Sequence, residues 1–202
     1  NIYPAAWWSY GLRPGHSIFI NHNFGHWVAL WHMYWGARYL GLKVYSAGGM
    51  STDERLDSIV AHGPDMVCGT PTYLLRLAQR AEERGLDLAA GPVRFLTAGG
   101  EPGMSVPVTR RALETAWGAT GIDAYGMSEV GIAHLSCPNH RGGVHAMEDA
   151  FHSYSADRET GLPVADGEIG ENIVTGFVHM TQPFIKYRTH DLVRRLERPD
   201  HG

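Results

Sequence analysis

The sequence predicts an α/β fold, in which a doubly wound, mostly parallel sheet with helices on both faces precedes a smaller antiparallel β subdomain. Over residues 1–130, short apolar runs of strand length alternate with longer segments whose apolar residues recur at helical spacing. This alternation is typical of parallel strands joined by crossover helices. After residue 130 the helical spacing disappears, and short apolar runs are separated by Gly, Asp and Pro, which favours antiparallel strands. We therefore expect an α/β core over residues 1–130 and a β-rich subdomain over residues 131–202.

The first part of the chain is expected to fold as strands and helices in alternation. A helix that includes residues 7–10 is predicted near the start of the sequence. Buried strands are predicted at residues 18–20, 43–47, 66–68, 95–97 and 122–124. Further helices are predicted at residues 27–42, 51–62, 70–85 and 107–117. Ser51 and Glu54 form a capping box, and Pro107 suits a first helical turn. Polar and charged residues interrupt the apolar segment 27–42, so we expect a buried helix there and not a membrane span.

The β-rich part is expected to contain short strands separated by turns. They are predicted at residues 132–135, 150–154, 171–175 and 184–187. Residues 157–161, with the sequence DRETG, suit a hairpin turn. Neither an internal repeat nor a linker is evident in either part of the sequence.

Two polar, glycine-bearing segments follow successive predicted strands. Gly99, Gly100, Glu101 and Pro102 follow one strand, and residues 125–129 (YGMSE) follow the next. Missing side chains at a strand end let a ligand approach the backbone. Because the carboxyl ends of neighbouring parallel strands meet at one edge of a sheet, we expect both segments to face one crevice.

A nucleotide suits this crevice. Tyr125 offers a ring face to a purine, and the backbone of residues 99–101 can meet the polar edge of that purine. The Ser128 hydroxyl can reach a phosphate, and Glu129 supplies a hard oxygen ligand suited to Mg²⁺. Each residue also has a structural interpretation, since a Tyr at a strand end is commonly core and Ser-Glu often caps a helix. The residues alone leave both interpretations open.

Five segments of the chain, in order and in approximate spacing, resemble the phenylacetate-CoA ligase-like branch of the adenylate-forming enzymes. They are GGEPG, DAYGMSEVG, GGVHAMEDAF, GEIGENIVTG and PFIKYRTHDL. The combination is much more specific than any one segment. The resemblance implies an ATP-dependent acid–CoA ligase that activates a carboxylic acid as an acyl-adenylate and then forms an acyl-CoA thioester. It also implies ATP, Mg²⁺ and coenzyme A as the small molecules bound with the acid.

The resemblance also assigns roles to individual residues. It implies that Tyr125, Gly126 and Ser128 contact adenine and the α-phosphate. It implies further that Glu129 positions Mg²⁺ and that Asp191 binds the ribose hydroxyls. Ser128 and Glu129 are therefore the expected catalytic residues. The remaining expected nucleotide-binding residues are Gly99, Gly100, Glu101, Pro102, Asp123 and Met127.

For Asp191 the residues themselves leave an alternative open. A carboxylate can accept two hydrogen bonds from a cis-diol, and Asp191 lies in the polar run YRTHD after a predicted strand. An exposed ion pair between Arg188 and Asp191 would explain the same residues and would contribute little to stability. The resemblance favours the diol.

The acid is expected to contact an aromatic segment after the first predicted strand. His22, Phe24, His26 and Trp27 lie there, where the resemblance places part of the acyl pocket. Their aromatic character favours a flat, apolar acid such as an aryl or arylacetic acid. Aromatic clusters are also commonly core, so we expect direct contact from only some of these residues.

Cys137 and His145 are candidates for half of a zinc site, with His134 and His140 as further candidates. Cysteine and histidine suit Zn²⁺, but a structural site needs four ligands. The resemblance implies that the other half lies in a Cys-x-Cys-Gly segment beyond the end of this sequence. A solvated, histidine-rich loop is the alternative.

Two other groups of reactive residues favour structural roles. Cys68 precedes a helix start, but the sequence places no partner base beside it, so a buried thiol is expected. Glu148, Asp149 and Glu168 could supply a hydrolytic carboxylate pair, although turn and surface positions suffice to explain them.

Composition and charge argue against several classes of partner. The formal net charge is −4 and no run of basic residues occurs, so neither nucleic acid nor a membrane is an expected partner. Two cysteines and the lack of an apolar signal segment fit a reducing cytoplasm. The oligomeric state stays open, a homodimer being one alternative.

The ends of the sequence lead us to expect a piece of a longer polypeptide. The sequence begins at Asn1 without Met and stops at residues 199–202 without a terminal element. The resemblance places a phosphate-binding loop upstream and a C-terminal lid domain with a catalytic lysine downstream. We therefore expect these 202 residues alone to be inactive or nearly so. Two alternatives stay open: an adenylating enzyme that passes the acyl group to an amine or a carrier protein, and a catalytically inactive nucleotide-binding module.

Overall fold

The computed structural model describes residues 3–178 and 181–196. Asn1 and residues 199–202, on which the expectation about the chain ends rests, lie outside the described residues. The chain divides into two compact units, Asn1–His145 and Ala146–Gly202.

Helices and strands alternate in the first unit. The helices are α1 (Tyr3–Ser9), α2 (Val28–Tyr39), α3 (Thr52–His62), α4 (Pro71–Glu83) and α5 (Pro107–Trp117). The strands are β1 (Ser17–Ile20), β2 (Lys43–Ser46), β3 (Met66–Gly69), β4 (Phe95–Gly99), β5 (Thr120–Met127), β6 (Gly131–Cys137) and β7 (His140–Ala146). Up to β5, these elements confirm the predicted order of strands and helices.

Strands β1 to β5 form the parallel sheet that the sequence predicts. The sheet has seven strands in the order β2-β1-β3-β4-β5-β6-β7, and the neighbouring pairs from β2 to β5 are all parallel. The chain runs outward from β1 to β2 and then crosses to β3 on the other side of β1. At such a reversal, the carboxyl ends of the two strands border a crevice in which ligands bind.

Helices cover both faces of this sheet, as predicted. One core cluster joins the sheet to α3, α4 and α5 through Leu56, Leu77 and Trp117. The other joins the opposite face to α1 and α2 through Trp7 and Leu30. Full burial of a large apolar side chain of this kind stabilises a fold by about 1.5–3 kcal/mol.

The predicted capping box is confirmed, and two further helix ends are capped as well. The Ser51 hydroxyl accepts a hydrogen bond from the backbone N–H of Glu54, and the Glu54 carboxylate accepts one from the backbone N–H of Ser51. Thr70 caps α4 by accepting from the backbone N–H of Tyr73. Gly118 ends α5 in the left-handed conformation. Short-range chemistry therefore fixes these helix ends.

The helix at residues 27–42 differs from the prediction of a buried helix. In α2, Leu30 and Ala37 are buried, whereas Trp31, Trp35 and Tyr39 are exposed. The prediction is wrong because these large aromatic residues fall on the face that does not pack on the sheet. Among the described residues, no helix combines the length and the apolar character needed to cross a bilayer.

Residues 131–145 belong to the first unit and extend its sheet. β6 pairs antiparallel with β5, and β7 follows as the edge strand. The predicted boundary after Val130 therefore differs from the observed division between His145 and Ala146. The sequence does not predict β7, because HRGGVHA lacks the alternating apolar residues that mark a half-buried strand.

The second unit contains a three-stranded antiparallel sheet in the order β10-β9-β8. Its strands are β8 (Phe151–Ala156), β9 (Ile169–Gly176) and β10 (Tyr187–Arg194). The predicted strand at 184–187 is wrong except for its last residue, since β10 begins after Lys186, which has a φ of 50°. The predicted turn forms around Asp157, whose carboxylate accepts the backbone N–H of Thr160 at 2.8 Å. The connection then continues to Glu168, so the turn is not a tight hairpin.

Candidate functional site

The ends of β4 and β5 lie side by side in the sheet. The two strands are parallel, and Gly99 lies opposite Ala124. The first glycine segment begins at the end of β4, and Tyr125 to Met127 are the last residues of β5. The two segments therefore meet at one edge of the sheet, as the sequence predicts.

A cavity of about 290 Å³ opens at this edge. It lies at the reversal between β1 and β3, because residues that follow both strands line it. Its lining residues come from α1, from α2 and the residue before it, from the loop after β1, and from the ends of β3, β4 and β5. They are Tyr3, His22, Trp27, Ala29, Met33, Gly69, Thr70, Thr97, Gly99, Gly100, Ala124, Gly126 and Met127. Doubly wound sheets bind ligands at this position.

The cavity brings together part of the predicted site. The predicted acid-binding and nucleotide-binding residues that line it are His22, Trp27, Gly99, Gly100, Gly126 and Met127. The sequence prediction misses Tyr3, Ala29 and Met33, which reach the cavity from α1 and α2. No local motif marks them, since their place depends on how these helices pack on the sheet.

Phe24 and His26 are not among the residues that line this cavity. Phe24 packs its ring against Trp31 and Tyr34 of α2, with ring centroids 5.1 and 5.9 Å away. His26 is exposed. The aromatic segment therefore divides into residues that line the cavity and residues that pack on α2 or face solvent.

Gly99 and Gly100, at the end of β4, cannot readily be replaced by larger residues, for two different steric reasons. A Cβ atom on Gly99 would stand 2.2 Å from the carbonyl oxygen of Ala124. Gly100 has a φ of +88°, and a Cβ atom there would lie 3.7 Å from the Trp27 ring. Gly99 therefore lets β4 lie against β5, and Gly100 lets the chain turn out of the strand beside Trp27.

Glu101 anchors the first segment to α4. Its carboxylate accepts hydrogen bonds from the backbone N–H of Thr72, at 2.7 Å, and from the Thr72 hydroxyl. The bond from this hydroxyl is the main cause that holds the pKa of Glu101 below its usual value. A carboxylate at a helix N-terminus is also stabilised by the helix dipole. The side chain of Glu101 thus orders the loop, and Pro102 follows it on the surface.

Tyr125 and the turn after it are accessible to a ligand to different degrees. Tyr125 is half-buried and packs edge-on against His134 of β6, with ring centroids 5.2 Å apart. Ser128 and Glu129 are exposed in the turn between β5 and β6. Because a strand and not a helix follows this turn, the helix-capping interpretation of Ser-Glu is wrong.

Glu129 offers carboxylate oxygens, the kind of ligand that Mg²⁺ prefers. The described part of the chain gathers no three His, Cys, Asp or Glu side chains where they could hold a metal ion. Mg²⁺ usually keeps several waters and binds one or two carboxylates together with substrate phosphates. The single exposed carboxylate of Glu129, on the turn after β5, fits this mode of binding.

The side chains that line the cavity are uncharged at neutral pH. Burial, with a smaller contribution from the charge of Arg55, lowers the pKa of His22 to about 4, so its imidazole is neutral. The Trp27 ring packs edge-on against His22, with centroids 5.0 Å apart. The Thr97 hydroxyl accepts the indole N–H of Trp7 at 3.2 Å. The cavity therefore suits an uncharged and mostly apolar group.

Asp123 is half-buried on β5 and is not among the residues that line the cavity. Its backbone N–H donates to the hydroxyl of Ser136 in β6 at 2.9 Å. Burial raises the pKa of Asp123 to about 6, although the backbone N–H of Ala124 and the charge of Arg110 act in the opposite direction. The raised pKa brings the titration of Asp123 closer to neutral pH than that of an ordinary aspartate.

The zinc candidates form no complete site among the described residues. Cys137 ends β6 and His140 begins β7, and the Cys137 sulfur accepts the backbone N–H of His140 at 3.2 Å. The rings of His140 and His145 are 6.0 Å apart. These residues belong to strands and not to a solvated loop. Within the described ranges no three of these side chains lie where they could share a metal ion, so zinc gains no support.

In the second unit, Asp191 is exposed on an irregular part of β10. The pairing of β10 with β9 shifts register between Arg188 and Leu192, and His190 in this bulge has a φ of 63°. Arg188 donates to Glu171, whose side chain is only 1% exposed. The alternative of an Arg188–Asp191 pair is therefore wrong. A bulge of this kind redirects side chains and is common beside functional sites.

Two features outside the cavity show no catalytic arrangement. Cys68 is fully buried, which confirms the expected buried thiol, and burial raises the pKa of this thiol above its usual value. A depression of about 520 Å³ lies between α3 and α4. Its charged side chains include Asp53 and Arg80, which pair with each other at 2.7 Å.

The sequence is similar to those of known enzymes. The sequence model of AMP-binding enzymes matches residues 5–182. The phenylacetate-coenzyme A ligase of Pseudomonas putida is 31% identical over 92% of this chain and 42% of its own length. The phenylacetate-coenzyme A ligase of Escherichia coli (strain K12) is 32% identical over 97% of this chain and 45% of its own length. The chain thus spans less than half the length of these relatives.

The structure is similar to that of a 2-hydroxyisobutyryl-CoA ligase crystallised in an open conformation with 2-HIB-AMP and CoA. The TM-score is 0.91 at 25% identity, with 96% of this chain and 46% of that chain covered. Sequence and fold thus agree over most of the chain. The chain belongs to the AMP-binding enzyme family.

Proposed function

We propose that this chain is the central part of an ATP-dependent acid–CoA ligase of the phenylacetate-CoA ligase type. The observation that carries the proposal is the cavity at the strand reversal, where His22 and Trp27 meet Gly99, Gly100 and Gly126. The family match and the identity to two phenylacetate-coenzyme A ligases support it.

The proposed reaction has two steps. The substrate carboxylate attacks the α-phosphorus of ATP, which forms the acyl-adenylate and releases pyrophosphate. The thiol of coenzyme A then loses its proton, attacks the acyl carbon and displaces AMP. Catalysis of the first step is mostly positioning and charge neutralisation, because two anionic reactants must approach each other.

The nucleotide is proposed to lie across the ends of β4 and β5. Tyr125 would stack on the purine, and the backbone of residues 99–101 would meet its polar edge. Ser128 would orient the α-phosphate. Glu129 would hold Mg²⁺, which neutralises phosphate charge when bound. Asp191, exposed on the bulge of β10, is proposed to accept hydrogen bonds from the ribose hydroxyls.

The acid is proposed to be small, flat and mostly apolar. The uncharged lining and the volume of about 290 Å³ support an acid with a single ring. A small hydroxy acid is the second candidate. It is favoured by the neutral imidazole of His22 in the lining and by the similarity to 2-hydroxyisobutyryl-CoA ligase.

The proposal is tested on the full-length protein that contains this chain. Acid-dependent exchange of pyrophosphate into ATP should occur with an aryl or arylacetic acid, and AMP release should increase when coenzyme A is added. Exchange without any effect of coenzyme A would favour transfer to an amine or a carrier-protein thiol. Nucleotide binding without exchange for any acid would favour an inactive binding module and would reject the ligase.

Three smaller parts of the proposal have their own measurements. The 202 residues alone should bind AMP weakly and turn over poorly, which calorimetry and the exchange assay would measure. Light scattering of the full-length protein would establish whether it is a homodimer. A cytoplasmic location is proposed because ATP and coenzyme A are available there, and fractionation of cells would test it.

A further inference from the structure

Arg55 is a buried cation that no sequence motif identifies. It lies in the first turn of α3 and is only 9% exposed. Its four hydrogen-bond acceptors among the described residues are all uncharged. Burial of a guanidinium costs free energy unless its N–H groups are hydrogen-bonded and its charge interacts with other groups. The position of Arg55 therefore needs an explanation in the parts of the chain that it contacts.

The guanidinium of Arg55 holds both chain neighbours of His22. Its Nη1 donates to the carbonyl oxygen of Asn21 at 2.9 Å and to Oδ1 of Asn21 at 3.1 Å. Its Nη2 donates to Oδ1 of Asn23 at 3.1 Å, and its Nε donates to the carbonyl oxygen of Met50 at 2.9 Å. One side chain thus joins the loop after β1 to the turn that precedes α3.

The loop held in this way presents His22 to the cavity. The His22 ring lines the cavity and packs edge-on against Trp27. Trp27 in turn lies beside Gly100, at 3.7 Å from the position of a Cβ atom there. Contacts therefore run from Arg55 through residues 21–23 to the side chains expected to meet the acid.

Asn21 provides an independent observation at the same place. Its side chain is 1% exposed, and its Oδ1 accepts from Arg55, which fixes the orientation of the amide. Its Nδ2 lies 3.6 Å from the position of a Cβ atom on Gly69, a residue that lines the cavity. Within the described residues this Nδ2 has no hydrogen-bond partner. Arg55 therefore also directs a buried amide donor toward a residue of the cavity lining.

We propose that Arg55 is a positioning residue for the acid substrate, which holds residues 21–23 so that His22 keeps its place in the cavity wall. This inference rests on the proposed function, because it concerns the acid that the ligase would activate. Arginine suits the role because three nitrogens donate from one planar group, whereas lysine keeps the charge on a single nitrogen.

The test compares Arg55→Lys with Arg55→Met in the full-length protein. Both should raise the KM for the acid about tenfold, because hydrogen bonds to the loop are lost in each. The kcat and the KM for ATP should change by less than about threefold. The control is Arg80→Gln, which removes a half-buried arginine on α4 that pairs with Asp53 of α3. It should change neither KM. A wild-type KM for the acid in Arg55→Lys would overturn the inference.

A double-mutant cycle separates positioning from a general effect on the fold. In a His22→Ala background, Arg55→Lys should have little further effect on the KM for the acid, because both changes disturb one contact chain. Fully additive effects would overturn the inference. Should the Arg55 variants fail to fold, Asn23→Ala removes one acceptor at an exposed position and should still raise this KM, while an unchanged KM would overturn the inference.

The outcomes for this inference and for the proposed function are distinct. A wild-type protein that forms no acyl-adenylate would reject the proposed function. An active wild-type protein whose Arg55 and Asn23 variants keep the same KM for the acid would reject only the role of Arg55.

Discussion

The cavity of the first unit and the bulge of the second unit offer a ligand two different kinds of surface. Around the cavity, Gly99 lies against β5, Glu101 ties the loop to α4, and the lining side chains are uncharged. On the bulge, Asp191 is an exposed carboxylate, and the ion pair between Glu171 and Arg188 lies beside it in the same sheet. The first surface offers a ligand an uncharged cavity, and the second offers it a charge.

Because of this difference, we expect substitutions to have different effects in the two places. In a closely packed site, one added methyl group strains the backbone, so stability and binding should change together. At an exposed charge, solvent accommodates the altered side chain, so binding should change while stability does not.

The largest effect is expected at Glu129, an exposed charge in the first unit. Glu129→Gln in the full-length protein should lower acyl-adenylate formation by at least about 100-fold, because charge neutralisation at the phosphates is lost. The melting temperature should stay the same. Pyrophosphate exchange and calorimetry measure the two quantities, and Glu82→Gln on α4 is the control. Equal losses in both variants would contradict the role of Glu129.

The second largest effect is expected at Asp191. Asp191→Asn should weaken AMP binding by about 10- to 100-fold, since hydrogen bonds to a charged acceptor contribute about 1.5–3 kcal/mol. Isothermal titration calorimetry of the full-length protein measures the affinity. Asp166→Asn, whose partner Arg195 is also exposed, is the matched control. Unchanged AMP affinity in Asp191→Asn would show that Asp191 does not take part in nucleotide binding.

Gly99→Ala should show the coupled behaviour of the packed site. A Cβ atom 2.2 Å from the Ala124 carbonyl oxygen must push β4 away from β5. We expect the free energy of unfolding to fall by about 1–3 kcal/mol, together with AMP affinity. Urea denaturation and calorimetry measure both, and Gly48→Ala is the control because its Cβ atom would have only an ordinary contact at 3.6 Å. Weaker AMP binding with an unchanged free energy of unfolding would contradict the expected coupling of binding and stability at Gly99.

Asp123 should make stability depend on pH in a defined window. Its pKa of about 6 in the folded chain exceeds the ordinary value of 3.8, so folding favours the protonated form. Its contribution is therefore present below about pH 4 and is lost as pH rises through 6. We expect a change of about 1 kcal/mol, because a half-buried group keeps part of its solvation. The half-buried His22 and the buried His134, with pKa values lowered to about 4, act in the opposite direction.

Comparison with Asp123→Asn isolates this contribution. Denaturation of wild type and variant at pH 4 and at pH 7 gives the difference between them. The variant should lose less stability than wild type on going from the lower to the higher pH. An identical pH dependence in both proteins would contradict the raised pKa of Asp123.

The smallest effect is expected at Cys137. Cys137→Ser should change the free energy of unfolding by less than about 0.5 kcal/mol. The described residues supply no third ligand beside Cys137 and His145, so elemental analysis of the 202-residue chain should find no bound zinc. Stoichiometric zinc that is lost in Cys137→Ser would contradict this.

The parts of the fold that depend on local chemistry could be predicted from the sequence. The capping box of Ser51 and Glu54 and the glycine that ends α5 follow from residues within one helical turn. The alternation of apolar runs predicts the parallel sheet, and the sheet places the segments after β4 and β5 side by side. Four nucleotide-binding residues predicted in these segments therefore line the cavity, namely Gly99, Gly100, Gly126 and Met127.

The remaining features depend on packing between distant parts of the chain. β7 lacks apolar alternation and forms because β6 offers it an edge. Tyr3 and Met33 reach the cavity only through the way α1 and α2 pack on the sheet. Arg55 carries a weak signal, since it lies one turn before Ile59 on the buried face of α3, where a charge is unusual. The bulge that exposes Asp191 has no signal in the sequence that we can identify.

A crystal structure of the full-length protein with a bound acyl-adenylate would show whether the nucleotide lies across the ends of β4 and β5. We expect the adenine ring against Tyr125 and beside Gly100, and the acyl group in the cavity, against the wall that His22 and Trp27 form. The ribose hydroxyls should lie within about 3 Å of the Asp191 carboxylate. An adenylate bound away from the ends of β4 and β5 would contradict the account.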